Sequence, residues 1–429
     1  MNPLESLIIY DALLLLCFVA WGIYVHWKID ATLYISFFLF VCGVISTIYY
    51  PFADGVQYDY SSIRLVPFLY LVMCYIITAY PIMRYDLCNY SGMAVSERQD
   101  KLVEYFCIFL IVVSLEPTLE ILCMVPSMIG NESAMDDMYE ARLITEYVEP
   151  LSGLGRKLFR ITTTFQYLYP VFLFYFLSKP KAKIFIVLGI LMMIGALWGH
   201  QLITGGRSGL VQSFLYLLVC YFVMFRFIPR KINRRILIYG GAFLSLGVIG
   251  FAAVTAARFN QNEYVSDDFT VWLWLGLYAG EGNLNFSSMM WDVVRDTGGI
   301  GSLVLPMDFL GLVKDNTVAG NWAAMDKLGV PGNIFYTYVG VLYADFGRIG
   351  AVVFLVILAS IVRFATKTQG SEISLTKVAF ICMLAKILVL PTFYTYASYM
   401  SQLNLLMALL FLGIYSLRGR VYISNRLVF

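Results

Sequence analysis

Apolar runs of about twenty residues recur along the whole chain and are separated by polar connections. This is the length of helix needed to cross the hydrocarbon core of a bilayer. The pattern predicts about eleven membrane-spanning helices, with a range of about ten to twelve. Their approximate positions are 7–25, 31–50, 63–83, 102–124, 158–177, 184–203, 209–228, 236–257, 347–365, 374–392 and 398–417.

Two apolar segments need separate interpretation. The run 7–25 is predicted to be a retained span, because no basic segment precedes it and no small-residue cleavage site follows it. The stretch 333–344 is short for a full crossing, so it is predicted to be a re-entrant or partial helix.

The composition agrees with this pattern. Of the 429 residues, 60% are hydrophobic and only 14% are charged, whereas a soluble domain carries roughly 25% charged residues. The chain is therefore predicted to be an all-α polytopic membrane protein, with residues 1–429 forming one integral membrane domain. The net charge of +2 indicates no particular partner, and no nucleic acid is expected to bind.

Cysteine and histidine usage argues against a metal centre. All eight cysteines except Cys88 fall inside apolar runs, and the only histidines are His26 and His200. That distribution is typical of packing rather than of a disulfide framework or a zinc site. Neither a metal nor a cofactor is expected.

Basic residues collect in alternate connections between the predicted spans. With eleven spans, all of these connections lie on one side of the membrane, which the positive-inside rule makes cytoplasmic. The amino terminus is then outside and the carboxyl terminus inside. The residues that set this orientation are Arg84, Arg98, Lys101, Lys179, Lys181, Lys183, Arg226, Arg230, Lys231, Arg234, Arg235, Arg363, Lys367, Arg418, Arg420 and Arg426.

Two connections on the predicted outer side are too long to be simple turns. They cover about 125–157 and about 258–332. Long loops of this kind are often functional. Within the second loop, Trp272 and Trp274 favour an interfacial helix, because indole rings prefer the headgroup layer.

Polar residues at or inside the span ends converge on the same outer face. Charged groups at membrane depth are costly and are usually paired or functional, so a cavity that opens outward is expected. The candidates are Glu116, Glu120, His200, Arg207, Arg258, Asp345 and Arg348, with Glu281 in the second long loop.

Three of these candidates are arginines, at positions 207, 258 and 348. Guanidinium groups bind phosphate oxygens in a bidentate manner. Gly205 and Gly206, which precede Arg207 in a short polar turn, allow the backbone to approach a ligand closely. The arginines and glycines are therefore predicted to bind an anionic diphosphate at headgroup level. Arg258 also suits a purely interfacial anchor.

The carboxylates are candidates for proton transfer, with Asp345 ranked before Glu281 because it begins a span and should be held rigidly. Glu116 and Glu120 are four residues apart on one helix face, so they suit either acid–base work or helix packing. His200 is expected to be a satisfied buried polar residue rather than a base. Asp345 also suits an N-cap of the helix that follows.

Two segments resemble the oligosaccharide repeat-unit polymerases of the Wzy type. One is Thr204-Gly205-Gly206-Arg207-Ser208 after a span. The other runs from Asn333 to Thr337 and continues through Leu342-Tyr343-Ala344-Asp345-Phe346-Gly347-Arg348-Ile349-Gly350. The number of spans and the large loop before the last few also fit, so the resemblance covers most of the chain as architecture.

The resemblance implies a C-type glycosyltransferase-like membrane fold, similar to that of O-antigen ligases, in the bacterial inner membrane. The expected activity joins undecaprenyl-diphosphate-linked repeat units into O-antigen, capsule or exopolysaccharide at the periplasmic face. Transfer would be metal-independent and inverting. Arg207 and its glycines, Arg258 and Arg348 would hold the diphosphate, and Asp345 or Glu281 would take the acceptor proton. Membrane lipid and a chain-length regulator are the other expected partners.

Two other functions remain open. An O-antigen ligase or related transferase would use the same fold and donor with a different acceptor. A transporter or flippase would instead carry charges through the whole depth of the bilayer, whereas the charges noted above gather at one face.

Overall fold

The computed structural model describes residues 3–26, 29–53, 58–128, 151–181, 183–204, 207–241, 276–294, 296–313, 318–332, 334, 336–368, 370–389 and 398–426. Its long helices are α1 (Pro3–His26), α2 (Ala31–Ala53), α3 (Leu65–Asp86), α4 (Glu97–Met128), α5 (Gly153–Thr164), α6 (Tyr169–Ser178), α7 (Ile184–Ile203) and α8 (Arg207–Met224). Short helices follow: α9 (Arg230–Arg235), α10 (Glu281–Asn285), α11 (Val304–Phe309) and α12 (Val318–Asp326). The last helices are α13 (Tyr338–Thr366), α14 (Leu375–Val389) and α15 (Tyr399–Arg426), and the strands are β1 (Gly92–Ala94) and β2 (Glu372–Ser374).

Eight helices in the described part of the chain are long and apolar enough to cross a membrane. They confirm an all-α polytopic membrane protein and match eight of the predicted spans. The predicted span 158–177 is instead two helices, α5 and α6, separated by a 3₁₀ turn at Gln166–Leu168. The predicted span 374–392 begins as α14, and most of the predicted span 236–257 lies outside the described residues.

Small residues let two pairs of helices pack closely. Gly189 and Gly199 of α7 lie directly against Ile111 and Ile121 of α4, where a Cβ atom would overlap the isoleucine side chain. Gly43 of α2 also packs closely on α1, where a Cβ atom would lie 3.0 Å from Leu15 and 3.2 Å from Ala12. Helices in a bilayer associate through such close contacts. Lipid tails are as apolar as the side chains, so there is no hydrophobic driving force between the helices.

Contacts place several basic connections at one end of the bundle, here called the basic end. The parallel pairing of β1 with β2 joins the connection after α3 to the connection after α13. Salt bridges at this end include those that join Arg226 to Asp86, Lys179 to Asp100, and Lys183 to Glu104. These contacts agree with the sorting of loops that the charge pattern predicts.

The opposite end, here called the far end, carries the described parts of the two long loops. Arg64 at the start of α3 forms a salt bridge with Asp292, with 3.0 Å between Nη2 and Oδ2. Gln402 near the start of α15 donates to the Ser302 carbonyl at 3.0 Å. The described part of the second long loop is therefore tied to the start of α3 and to α15.

Helix α13 is broken at Gly347, whose φ of 68° and ψ of −176° are non-helical. Tyr338, at the start of the helix, donates to Thr78 Oγ1 in the second half of α3, at 2.9 Å. Ten residues later, the Arg348 carbonyl accepts from Tyr70 Oη, close to the start of α3, at 2.7 Å. The short arm, Tyr338–Phe346, therefore runs from the interior of the bundle towards the far end.

The long arm of α13, Arg348–Thr366, runs back to the basic end. It is followed directly by β2, and the Lys367 carbonyl accepts from Lys377 Nζ there at 2.5 Å. Its buried face recurs every three or four residues, at Ala351, Leu355, Ala359, Val362 and Thr366. The short arm lies where a re-entrant or partial helix is predicted near 333–344, and whether it is re-entrant stays a prediction.

Candidate active site at the far end of the bundle

The Arg348 guanidinium is held in a fixed position at the far end. Its Nε donates to Tyr343 Oη at 2.8 Å and its Nη2 donates to the Trp291 carbonyl at 2.7 Å. The guanidinium carbon lies 4.2 Å from the centroid of the Trp291 ring, a distance typical of cation–π contact. The residue as a whole is exposed, and Nη1 donates to no group among the described residues. The charge is therefore preorganised and retains donors for an anion.

The Asp345 carboxylate holds the loop 297–302 against α13. Its Oδ1 accepts from the Thr297 hydroxyl and from the Gly301 amide at 3.1 Å, and its Oδ2 accepts from the Ser302 amide at 2.5 Å. The side chain is buried. Both oxygens are thus occupied by the protein, and Asp345 has a clear task in fixing this loop.

The expectation that Asp345 caps the following helix is wrong. The helix that follows Asp345 is the long arm of α13, but both oxygens of Asp345 accept from the loop 297–302 instead. The short arm, which contains Asp345, is capped by Thr337, whose Oγ1 accepts from the Gly340 amide at 3.1 Å. The apparent start of a span at Asp345 comes from Gly347, where the helix changes direction. The sequence analysis ends the re-entrant or partial helix at 344, whereas the short arm continues to Phe346.

Glu281 begins α10 and is 1% exposed. Its Oε1 accepts from Asn285 Nδ2 at 2.8 Å, one helical turn away. Asn285 Oδ1 in turn accepts from Tyr60 Oη at 3.0 Å. The second carboxyl oxygen, Oε2, is buried and has no hydrogen-bond partner within the described part of the chain.

Tyrosines surround this carboxyl group beneath the connection between α2 and α3. Burial raises the pKa of Glu281 from its usual 4.5 to about 7, although the Asn285 amide opposes the shift. Burial, and then the charge of Glu281, raise the pKa of the half-exposed Tyr58 to about 12. Tyr49 and Tyr60 are also close enough to interact electrostatically with Glu281. A carboxyl group that titrates near neutral pH is suited to acid–base work.

A second buried carboxyl group, Asp11 of α1, was not predicted from the sequence. Its Oδ2 accepts from Asn283 Nδ2 at 3.0 Å, and Asn283 Oδ1 accepts from Tyr75 Oη at 3.2 Å. Asp11 Oδ1 has no partner among the residues that the structure describes. One signal was available, because Asp11 is an acid inside the first apolar run.

Glu116 and Glu120 meet the start of α5. Glu120 Oε2 accepts from the Ser152 amide at 2.9 Å, and Glu116 Oε1 accepts from Ser152 Oγ at 3.4 Å. Ser152 itself caps α5 by accepting from the Gly155 amide at 3.0 Å. Negative charge is favourable at a helix N-terminus, so these contacts match the helix-packing alternative. An acid–base role for either glutamate stays a prediction.

The remaining predicted residues lie elsewhere or outside the described residues. The His200 ring packs 4.5 Å from the Phe159 ring, measured between centroids, which suits a packing role. Arg207 begins α8 at the far end, although its side chain is not among those described. Gly205, Gly206 and Arg258 lie outside the described residues.

A buried lysine was also missed by sequence reasoning. Lys386 of α14 is 7% exposed, and its Nζ lies 3.9 Å from the centroid of the Tyr167 ring and 5.6 Å from that of Tyr216. The faces of two aromatic rings therefore lie within cation–π distance of its amino group inside the bundle. It lies inside the predicted span 374–392. Like Asp11, it is an ionisable residue inside an apolar run, and such residues indicate a candidate functional site.

Metal-binding groups and relatives do not add to this picture. Across the described ranges, no group of three or more histidines, cysteines or acids is placed to hold a metal ion. No family model, no curated protein and no solved structure matches the chain. The candidate site therefore depends on its own chemistry: a fixed guanidinium at Arg348 and a buried, half-satisfied carboxyl group at Glu281.

Proposed function

We propose that this protein is a glycosyltransferase that polymerises lipid-diphosphate-linked oligosaccharide repeat units at the outer face of a bacterial inner membrane. The donor is a chain carried on undecaprenyl diphosphate, and the acceptor is a hydroxyl group of the next lipid-linked unit. The fold of the proposed class is the C type of membrane glycosyltransferase. In this orientation the basic end faces the cytoplasm and the far end faces the outside.

The observation that carries the proposal is the fixed guanidinium of Arg348 at the far end. A diphosphate at headgroup level meets it without entering the hydrocarbon core. The resemblance of the segments around Arg207 and Arg348 to Wzy-type polymerases supports the same assignment. Arg207 begins α8 at the far end, and Arg348 begins the long arm of α13 there.

The reaction forms one glycosidic bond and breaks one bond to phosphate. The acceptor oxygen attacks the anomeric carbon, and the electron pair of the old bond leaves with undecaprenyl diphosphate. The hydroxyl proton passes to a carboxylate, Asp345 or Glu281, and then to the outer water. Guanidinium groups placed in advance stabilise the charge that grows on the leaving group. A single displacement inverts the anomeric carbon.

Deletion of the gene and return of single variants tests the proposal in the source bacterium. The deletion strain should accumulate single repeat units on lipid and lose polymer. Arg207→Gln and Arg348→Gln should fail to restore polymer although the protein accumulates in the membrane. Arg64→Gln is the matched control, because Arg64 lies at the same end in an exposed salt bridge. Unchanged polymer length in Arg207→Gln and Arg348→Gln would contradict the assigned role of the arginines.

Two alternatives give different results in the same strains. A ligase predicts that long lipid-linked polymer is retained in the deletion strain, because only the final transfer is lost. A transporter is favoured by Asp11 and Lys386, which are charged residues buried inside the bundle. It predicts that single units accumulate at the inner face, where an outer-face glycosidase cannot reach them in intact cells.

A further inference from the structure

The side chains of Tyr60, Asn285 and Glu281 form a hydrogen-bonded series. It ends at Glu281 Oε2, which has no partner among the described residues. Tyr60 donates to Asn285, and Asn285 donates to Glu281 Oε1. Tyr60 and Asn285 are fully buried, so water does not compete for these bonds. The series fixes the plane of the Glu281 carboxyl group and the direction of Oε2.

The free oxygen has a physical cost that calls for an explanation. A buried acceptor without a hydrogen bond costs about 1–3 kcal/mol. Here Oε2 has no partner in the described ranges, although tyrosines lie close by on α2 and on the connection to α3. An oxygen of this kind is satisfied by a ligand hydroxyl group, which donates to it directly.

We infer that Glu281, rather than Asp345, takes the proton of the acceptor hydroxyl, and that Asn285 and Tyr60 are its positioning residues. The inference rests on the proposed function, since it names the base of that reaction. The hydroxyl O–H bond breaks and the proton goes to Oε2. The freed electron pair forms the new bond to the anomeric carbon, and undecaprenyl diphosphate leaves with the old one.

The same short helix provides a matched control. Asn283 lies between Glu281 and Asn285 in sequence, but it bonds Asp11 and Tyr75 instead. Replacement of Asn283 therefore disturbs an equivalent buried amide without touching the hydrogen-bonded series of Glu281. The two asparagines separate an effect on Glu281 from a general effect of weakening α10.

The test measures the rate of polymer formation against pH, using purified protein in vesicles that contain lipid-diphosphate-linked repeat units. The rate is normalised to monodisperse protein. Wild type should lose rate on the acidic side as Glu281 is protonated. Asn285→Ala should lower the maximum rate roughly tenfold and move the acidic limb to higher pH, because the amide that favours the carboxylate is gone. Tyr60→Phe should move the limb the same way by less, and Asn283→Ala should leave its position unchanged.

An infrared pH titration gives a readout that does not need activity. The C=O stretch lost in Glu281→Gln reports the protonated Glu281, whose neighbouring titratable groups are Tyr49, Tyr58 and Tyr60. Its midpoint should lie near pH 7 and rise in Asn285→Ala. If Asn285→Ala does not fold, Tyr60→Phe, which removes only a hydroxyl group, serves the same comparison.

The outcomes distinguish the two proposals. Wild-type protein that is folded but forms no polymer overturns the proposed function and this inference together. Polymer formation with a loss on Asp345→Asn but not on Glu281→Gln overturns only the inference. Equal limbs and equal infrared midpoints in wild type, Asn285→Ala and Tyr60→Phe overturn the positioning role alone.

Discussion

Asp345 and Glu281 are both buried carboxyl groups on segments that reach the far end of the bundle, yet their surroundings differ. Asp345 accepts hydrogen bonds at both oxygens from the loop 297–302. Glu281 accepts one bond, from Asn285, and keeps Oε2 without a partner in the described structure. The first carboxylate is used to hold protein, and the second has capacity left for a ligand.

The difference shows that burial and position alone do not identify a base. Sequence reasoning favours Asp345 because it sits beside a predicted span, where a side chain is held rigidly. The hydrogen bonds reverse that order, because protonation of Asp345 would weaken the bonds that its carboxylate accepts from the loop 297–302, whereas Oε2 of Glu281 accepts none in the described structure. The inventory of acceptor bonds therefore separates the two acids better than their depth does.

The largest expected effect comes from replacing each of the two acids separately with its amide. Glu281→Gln should lower the polymerisation rate by about 10²–10⁴, the usual contribution of general acid–base catalysis. Asp345→Asn, which keeps the shape of the side chain, should lower it by less than about tenfold per mg of folded protein. Initial rates in vesicles measure both effects. A larger loss for Asp345→Asn than for Glu281→Gln would show that Asp345, not Glu281, is the base.

A smaller loss is expected from the guanidinium. Arg348→Gln should lower the rate by about 10²–10³, as for removal of one group that stabilises a developing negative charge. Arg64→Gln should have little effect, because its salt bridge with Asp292 is exposed and such pairs contribute only about 0–1 kcal/mol. Equal losses in both variants would indicate a general electrostatic effect at the far end rather than a specific contact.

Glu281 should also make the stability of the protein depend on pH. The pKa of Glu281 is raised by burial from 4.5 to about 7, so the folded state favours the protonated form. Its stabilising effect is present below about pH 4.5 and is lost as the pH rises through about 7. The loss is about 3 kcal/mol at most. Thermal unfolding in detergent at a series of pH values should show this loss of stability in wild type but not in Glu281→Gln. The same dependence of stability on pH in both proteins would contradict this prediction.

The smallest effect concerns the task of Asp345. Asp345→Ala should lower the free energy of unfolding by about 2 kcal/mol, because buried donors of the loop 297–302 lose their acceptor. Limited proteolysis should then cut this loop faster than in wild type. A loop that stays equally protected would remove the structural role assigned to Asp345.

The spans and the sorting of basic loops could be predicted because hydropathy and charge are local properties of the sequence. The apolar run 184–203 coincides with α7, and the pairing of β1 with β2 places two basic connections together as expected. The interruption of the predicted span 158–177 was not foreseen. Pro170 was the available signal, because proline favours the first turn of a helix and lies in the first turn of α6, after the turn at Gln166–Leu168.

The hydrogen bonds around Glu281 could not be predicted in full. Glu281 was a candidate, but Tyr60 and Asn285 are 225 positions apart in the sequence, and only the packing of α10 beside the start of α3 brings them together. Asp11 and Lys386 could have been singled out as charges inside apolar runs. Their partners depend on helix packing, which a single sequence does not specify.

The most direct test of the central claim is the stoichiometry of transfer by purified wild-type protein in vesicles with lipid-diphosphate-linked repeat units. We expect one undecaprenyl diphosphate to be released for each new glycosidic bond, and Glu281→Gln to form both products about 10²–10⁴-fold more slowly. Folded wild-type protein that releases no lipid diphosphate, or that forms bonds equally well after Glu281→Gln, would contradict it.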